Sequence, residues 1–242
     1  MCRCSKLPTF NAMIRAISGV SALLFAAAIA SASTAAAMPG VPPDGAMVFS
    51  VRKSGSEVGT HRITFAERDG ALVVETDSKL QLRLAFVTVY RYVQRTREIW
   101  RDGVLVGIES DIDDNGTPFR LRGVAKDGVL RLDGHQETHA VPVGIKPLSY
   151  WNVAVMRAPR GFDVQWGSLA DLAVESRGAE TRQVAGKPVE ARRYAMRGYE
   201  IRKGERQKQP WLNLDAWYDR EDRLVGLAFH YRGFDFDYIR QQ

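Results

Sequence analysis

The sequence predicts an all-β fold: a strongly curved antiparallel meander, a half-barrel or flattened barrel, with one short helix near residues 149–156. Three observations predict it. Between Leu80 and Phe86, apolar Leu80, Leu82, Leu84 and Phe86 alternate strictly with Gln81, Arg83 and Ala85, the period-two pattern of a half-buried strand. Ser54-Gly55, Asp69-Gly70, Asp102-Gly103, Asn115-Gly116 and Asp127-Gly128 punctuate the first half of the chain. Such pairs supply the positive φ that two-residue hairpin turns need. Thirdly, the turn signals recur closely, four of them along about 60 residues, as in an up-and-down antiparallel meander.

The order of elements follows from these signals. Residues 1–37 read as a secretory signal peptide: a basic start (Arg3, Lys6, Arg15), an apolar run from Val20 to Ala30, and small residues ending at Ala35-Ala36-Ala37. The run is shorter than the ~20 residues of a membrane span. Either Met1 or Met13 is a suitable start. Residues 38–45 form an extended arm, and 46–242 a single β-rich domain. Met47–Arg52 and Val58–Phe65 make a first hairpin, followed by Ala71–Thr76. Lys79–Arg101 is long enough to bend or break midway. Strands Val104–Glu109, Phe119–Ala125 and Val129–Asp133 follow, each after its turn pair. Pro147-Leu148-Ser149 then precedes a short helix with Ser149 as cap, and Pro159-Arg160-Gly161 stops it. Strands resume at Asp163–Trp166, Leu169–Glu175, Ala179–Val184, Ala191–Arg197, Leu214–Tyr218, Leu224–Tyr231 and Phe234–Tyr238. Residues 198–213 insert a basic loop with Arg202, Lys203, Arg206 and Lys208. The Trp100–Ile108 stretch has an echo in Trp217–Leu227, each an aromatic strand end, an acidic turn, then Leu-Val-Gly.

Composition narrows the chemistry. Both cysteines, Cys2 and Cys4, lie in the expected signal segment. An exported chain without disulfides fits a periplasmic address and excludes cysteine nucleophiles and thiolate metal sites. Without the three basic residues of that segment the formal charge falls from +6 to +3, which makes no case for nucleic acid as a partner.

No catalytic motif stands out. Asp111-Ile-Asp113-Asp-Asn115-Gly116 resembles half of a calcium loop, but Arg122 stands where the bidentate glutamate belongs, and an acidic β-turn explains it. His135 and His139 are four apart, about 13 Å along a strand at ~3.3 Å per residue, too far to share a metal. The sequence contains no Gly-x-Ser-x-Gly elbow. The expectation is therefore no catalytic residues, no metal and no cofactor. The aromatics remain. Tyr and Trp pack cores, and they also line cavities for ligands with a greasy body and a polar tip. Tyr90, Tyr92, Trp100, Tyr150, Trp151, Asn152 and Trp217 are the ligand-binding candidates.

Several of these residues carry a resemblance. Gly59–Phe65 (GTHRITF), Val89–Tyr92, Glu98–Gly103, Asp114-Asn115-Gly116, Tyr150-Trp151-Asn152 and Asp215–Asp219 resemble an uncharacterised proteobacterial family of exported β-rich proteins, a domain of unknown function. The likeness spans about Met47 to Tyr238, and the basic insertion around Lys203–Gln209 is longer than the family pattern. Because the family's function is unknown, the resemblance carries over no catalytic residues. It also implies a distant similarity to periplasmic curved-sheet proteins such as lipoprotein-carrier half-barrels. Three functions stay open. One is a non-enzymatic periplasmic binding or carrier protein for an apolar or amphipathic envelope molecule, such as a lipid. The second is a structural or interaction module in peripheral contact with the membrane or envelope. The third is a hydrolase acting on envelope polymer, with Glu98 among its single acids.

Overall fold

The computed structural model describes Met38–Gln242 apart from Gln136 and Arg232. Residues 1–37, with the expected signal segment, lie outside the described residues. Ala36–Gln242 form one compact unit.

Sixteen strands make up a single sheet. They are β1 (Ala46–Lys53), β2 (Ser56–Arg68), β3 (Ala71–Leu84), β4 (Val87–Arg101), β5 (Val104–Asp114), β6 (Thr117–Lys126), β7 (Val129–Asp133) and β8 (Thr138–Pro142). Then come β9 (Lys146–Pro147), β10 (Arg160–Phe162), β11 (Leu169–Val184), β12 (Lys187–Arg202), β13 (Glu205–Arg206), β14 (Leu212–Tyr218), β15 (Leu224–Tyr231) and β16 (Phe234–Arg240). The spatial order runs from β8 down to β1, then β16, β15, β14, β12, β11, β10 and β9. All neighbours are antiparallel except the short β9–β10 pair. The first strand thus lies near the middle of the sheet, and the last strand, β16, joins the two halves by pairing with β1.

The turn pairs do the work the sequence expects of them. In all five, from Ser54-Gly55 to Asp127-Gly128, both residues have positive φ, the signature of the tight hairpin turn. Ala185-Gly186 and Lys203-Gly204 do the same without an Asn or Asp to announce them.

The sheet is curved and unclosed. Its ends approach through loops: the His135 N–H donates to the Trp166 carbonyl at 3.2 Å, joining the β7–β8 loop to the turn after β10. The concave face holds one core that draws on both halves, with Phe49, Trp100, Leu121, Trp151, Phe162 and Tyr218 fully buried. Each such side chain contributes about 1.5–3 kcal/mol. The convex face of β3–β6 is a ladder of cross-strand ion pairs, among them Glu75–Arg97 and Asp77–Arg95. These are exposed and contribute little each.

Five expectations are corrected in detail. The helix near 149–156 is a single 3-10 turn, Val153–Arg157. Its cap is Asn152, whose Oδ1 accepts from the Ala154 N–H at 2.9 Å, and not Ser149. Tyr150 has φ +63, so no helix can run through it, and Trp151 is committed to the core. Leu80 and Leu82 face inward as expected, but Leu84 is 73% exposed and Phe86 103% exposed, because the chain turns at Ala85–Phe86 and the hairpin has left the core by then. Asp163–Trp166 is a turn, since the Asp163 carboxylate accepts from the Gln165 and Trp166 N–H groups. Residues 38–45 form two turns where an extended arm is expected, with Val41 N–H bonded to Met38 O and Gly45 N–H to Pro42 O. In the basic segment 198–213, β12 runs on to Arg202 and folds back as β13.

Candidate functional site

Parity decides which side chains enter the interior. Along β4 the even-numbered residues point inward, and they fall into two zones. Near the Asp102-Gly103 end come Glu98 and Trp100; toward the Ala85–Phe86 end come Tyr90, Tyr92 and Gln94.

The first zone is filled. Glu98 is 1% exposed, and its Oε2 accepts from the Trp100 indole N–H at 2.8 Å and the Trp151 indole N–H at 3.0 Å. Trp100 and Trp151 meet edge to face at 5.5 Å, and Phe65 meets Trp151 the same way at 5.3 Å. The second oxygen, Oε1, meets no well-formed hydrogen bond among the described residues; the Ser149 hydroxyl beside it interacts only weakly. Burial raises the Glu98 pKa above the ordinary carboxylate value, and the two indoles and Ser149 only partly offset this.

The second zone is hollow. A cavity of about 200 Å³ lies between β4, β15, β16 and the loops at 148–150 and 163–165. Leu80, Leu214, Leu227, Phe229 and Phe236 make its apolar wall, and Tyr90, Tyr92, Tyr150, Tyr231 and Tyr238 carry phenols into it. Burial holds the Tyr92, Tyr150 and Tyr238 hydroxyls protonated, with pKa values above the usual tyrosine range. The Tyr92 hydroxyl donates to Gln94 Oε1 at 3.2 Å, which leads on to Thr96 and Ser110.

His61, on β2, is the most unusual group in the wall. It is 8% exposed and packed edge to face against Tyr238 at 5.3 Å and tilted against Phe49 at 5.9 Å. Both ring nitrogens are buried without a hydrogen-bond partner among the described residues, as is Gln165 Nε2. Burial lowers the His61 pKa from 6.5 to about 4, against a weaker upward pull from Asp77. The ring is therefore neutral at neutral pH, able to donate at one nitrogen and accept at the other. Asp163, half-buried in the same wall, has its pKa raised by burial despite the N–H groups of its turn. The arrangement can hold a small molecule with an apolar body and a group that exchanges hydrogen bonds with an imidazole, an amide and phenols.

The seven residues singled out by sequence divide among four places. Tyr90, Tyr92 and Tyr150 line the cavity. Trp100 and Trp151 sit against Glu98 in the filled zone. Asn152 caps the 3-10 turn. Trp217 belongs to a separate small cluster with Ala191 and Val225, its indole N–H bonded to Glu180 and Arg182 stacked on its ring. The Trp100–Trp217 echo is offset by one residue in the fold. A register shift precedes Trp100 and another precedes Tyr218, so Tyr218, opposite Leu224, takes the inward place that Trp100 takes opposite Leu105. His61, Gln165, Phe229 and Tyr238 join the site unannounced. Each reads as an ordinary strand or loop residue until the sheet curls and brings β2, β15, β16 and the 163–165 turn onto one space.

Other motifs resolve into surface chemistry. Asp111 pairs with Arg120 and Arg122, Asp113 pairs with Arg91 and caps Gly116, and His139 lies beside Glu137. Among the described residues no three His, Cys, Asp or Glu side chains converge as a metal site would require.

Comparison with known proteins places this fold. The crystal structure of a β-barrel-like protein of domain of unknown function DUF1849 from Brucella abortus superposes with a TM-score of 0.57 at 9% identity, covering 81% of this chain and 94% of that one. At that identity the likeness is one of fold alone. No curated protein shows significant similarity to the sequence. A family profile matches residues 49–241, nearly the whole described domain, and the chain belongs to that family, the domain of unknown function DUF6134.

Proposed function

We propose that this protein is a non-enzymatic binding or carrier protein of the periplasm for a small amphipathic envelope molecule, exported by its first 37 residues. The observation that carries the reading is the cavity, with apolar walls and a buried imidazole whose two nitrogens have no hydrogen-bond partner among the described residues. Burying a polar group unpaired costs roughly 1–3 kcal/mol, so a ligand group or an enclosed water that meets it stabilises the fold. At about 200 Å³ the space is below the ~300–1,000 Å³ of drug-sized pockets. That suits one hydrocarbon chain or a small ring system, with the remainder of the ligand at the mouth. The three-part character of residues 1–37 and the absence of cysteine after them support the address.

The test is extraction and native mass spectrometry of the purified protein, followed by titration of the stripped protein with a fluorescent fatty acid. Saturable binding that Leu227→Trp abolishes, with the fold retained, is the expected result. A protein that copurifies with nothing and leaves the probe in water would end the proposal.

A further inference from the structure

The β3–β4 hairpin leaves the body of the sheet. On one side, β3 loses its last β2 partner at Leu80, opposite Gly59. On the other, β5 stops at Asp114, opposite Tyr92, and the Asn115 side chain caps the Arg91 N–H. Beyond those points β3 and β4 pair only with each other, through Leu82–Tyr90, Arg83–Thr88 and Leu84–Val87. Leu82 to Ala85 spans about 10 Å at ~3.3 Å per residue.

A free-standing hairpin should carry polar side chains, because an isolated one is marginally stable in water. This one carries Leu84, Phe86, Val87 and Val89, all exposed, with Phe86 entirely so. Such a cluster on an otherwise polar surface marks an interaction site. Its place matters as much as its composition. Val89 adjoins Tyr90, which lines the cavity. Trp211, 39% exposed, lines the same rim, and Phe234, also part-exposed, pairs with the rim residue Tyr231. The apolar tip and the cavity mouth therefore share one end of the molecule.

The charge at that end is positive. Of the five basic residues from Lys79 to Arg97, Lys79 and Arg95 pair with Asp77, Arg91 with Asp113 and Arg97 with Glu75, which leaves Arg83. Arg83, at the tip, bonds to Gln81 and pairs with no carboxylate among the described residues. Lys53 sits 3.6 Å from the centre of the Phe234 ring. Lys203 and Lys208 extend from the loop leading to Trp211, and neither forms an ion pair among the described residues. Of the carboxylates nearby, Asp113 pairs with Arg91, and Asp235 shares a hydrogen bond with His230.

We propose that this hairpin is a membrane-docking finger: Leu84, Phe86, Val87 and Val89 insert into the interfacial layer of an anionic bilayer, and Arg83 with the rim lysines holds the headgroups, placing the cavity mouth against the lipid. A finger about 10 Å long matches the ~5–10 Å to which interfacial apolar groups bury. Trp and Phe at the rim, ringed by lysine and arginine, are the residue types that settle at the headgroup level. A second copy of the chain suits the surface less well. Four side chains on a two-stranded tip fall far short of the roughly 800 Å² per partner that a stable interface needs. The inference extends the carrier reading, since it says where the ligand is collected, yet it stands on separate residues.

The experiment uses the compact unit from Ala36 to Gln242. Co-flotation is measured with vesicles of phosphatidylcholine plus phosphatidylglycerol and with phosphatidylcholine alone, beside fluorescent fatty-acid binding in vesicle-free solution. The unmodified protein is expected to float with the anionic vesicles and much less with the neutral ones. Phe86→Asp with Val87→Asp is expected to lower the bound fraction about tenfold or more, since both carboxylates must leave the interface. Arg83→Ala is expected to lower it about fivefold on anionic vesicles only. Fatty-acid binding in solution and the thermal midpoint stay unchanged in both variants. A double variant that floats like the parent overturns the proposal, as does a parent protein that ignores anionic vesicles. So does a parent that self-associates in solution through Phe86, which would assign the finger to a second copy. If flotation behaves as expected but the fatty acid never binds, docking stands and the carrier reading falls.

Discussion

The interior of this sheet has two ends built on the same strands and the same parity, with opposite outcomes. At the Glu98 end a carboxylate is buried, and two tryptophans fill the space and aim their N–H groups at it. At the His61 end an imidazole is also buried, with Tyr238 and Phe49 packed on its ring, yet the remaining tyrosines and leucines leave a void beside it. The difference teaches that burial of a polar group does not mark a site. Glu98 has one oxygen held by two indoles, and it does not line the cavity. Both His61 nitrogens lack a hydrogen-bond partner among the described residues and the ring lines empty space, and that combination points to a ligand.

The comparison yields tests that run from large effects to small. Glu98→Ala removes the acceptor shared by two buried indoles and leaves a void, so it is expected to cost about 3–5 kcal/mol in denaturant unfolding. A cost under about 1 kcal/mol would mean the filled end is not held by its carboxylate. Next in size is the pH dependence of His61. Its pKa is lower folded (about 4) than unfolded (6.5), so the unfolded chain binds the extra proton between those values. The stability it contributes is fully present above pH 6.5 and is lost as the pH falls toward 4. At about 1.4 kcal/mol per pKa unit that amounts to about 3 kcal/mol, which His61→Phe should abolish when both proteins are unfolded across this range. Equal slopes for parent and variant would show that the imidazole is not buried as described. The raised pKa of Glu98 acts in the opposite sense, with stability lost as the pH rises through its folded value, and it is common to both proteins.

Trp151→Phe sharpens the contrast further. It keeps an aromatic against Trp100 and Phe65 but deletes one of the two indole donors, for an expected loss of about 2 kcal/mol. At the hollow end, Leu227→Phe should change stability by less than about 1 kcal/mol, because the added atoms enter open space. The same change should weaken fatty-acid binding. A large destabilisation there would show the void to be filled already.

Much of the fold was legible. The Asp-Gly and Asn-Gly pairs announced hairpins because positive φ at two successive residues is chemistry written locally, and each one is a turn in the structure. The inward run at Leu80 and Leu82 was equally plain. Leu84 and Phe86 misled, since period two reports which face a residue shares and says nothing about where the core ends. Ser149 and Pro159 suggested a helix, but the interval holds a left-handed Tyr150 and a tryptophan drawn inward by Glu98, fifty-three residues upstream.

The site was legible only in part. Tyr90, Tyr92 and Tyr150 drew notice as aromatics, though Trp217 drew the same notice and lies in a different cluster. No local chemistry marks His61 as part of a cavity, because its neighbours in space are Phe49, on the adjoining β1, and Tyr238, on β16 beyond it. Local chemistry settles turns, strand parity and the all-β class, since each depends on a few adjacent residues. Which inward faces meet, and whether large or small side chains face one another across the gap, depends on how sixteen strands curl together. That curl alone separates a filled end from a hollow one.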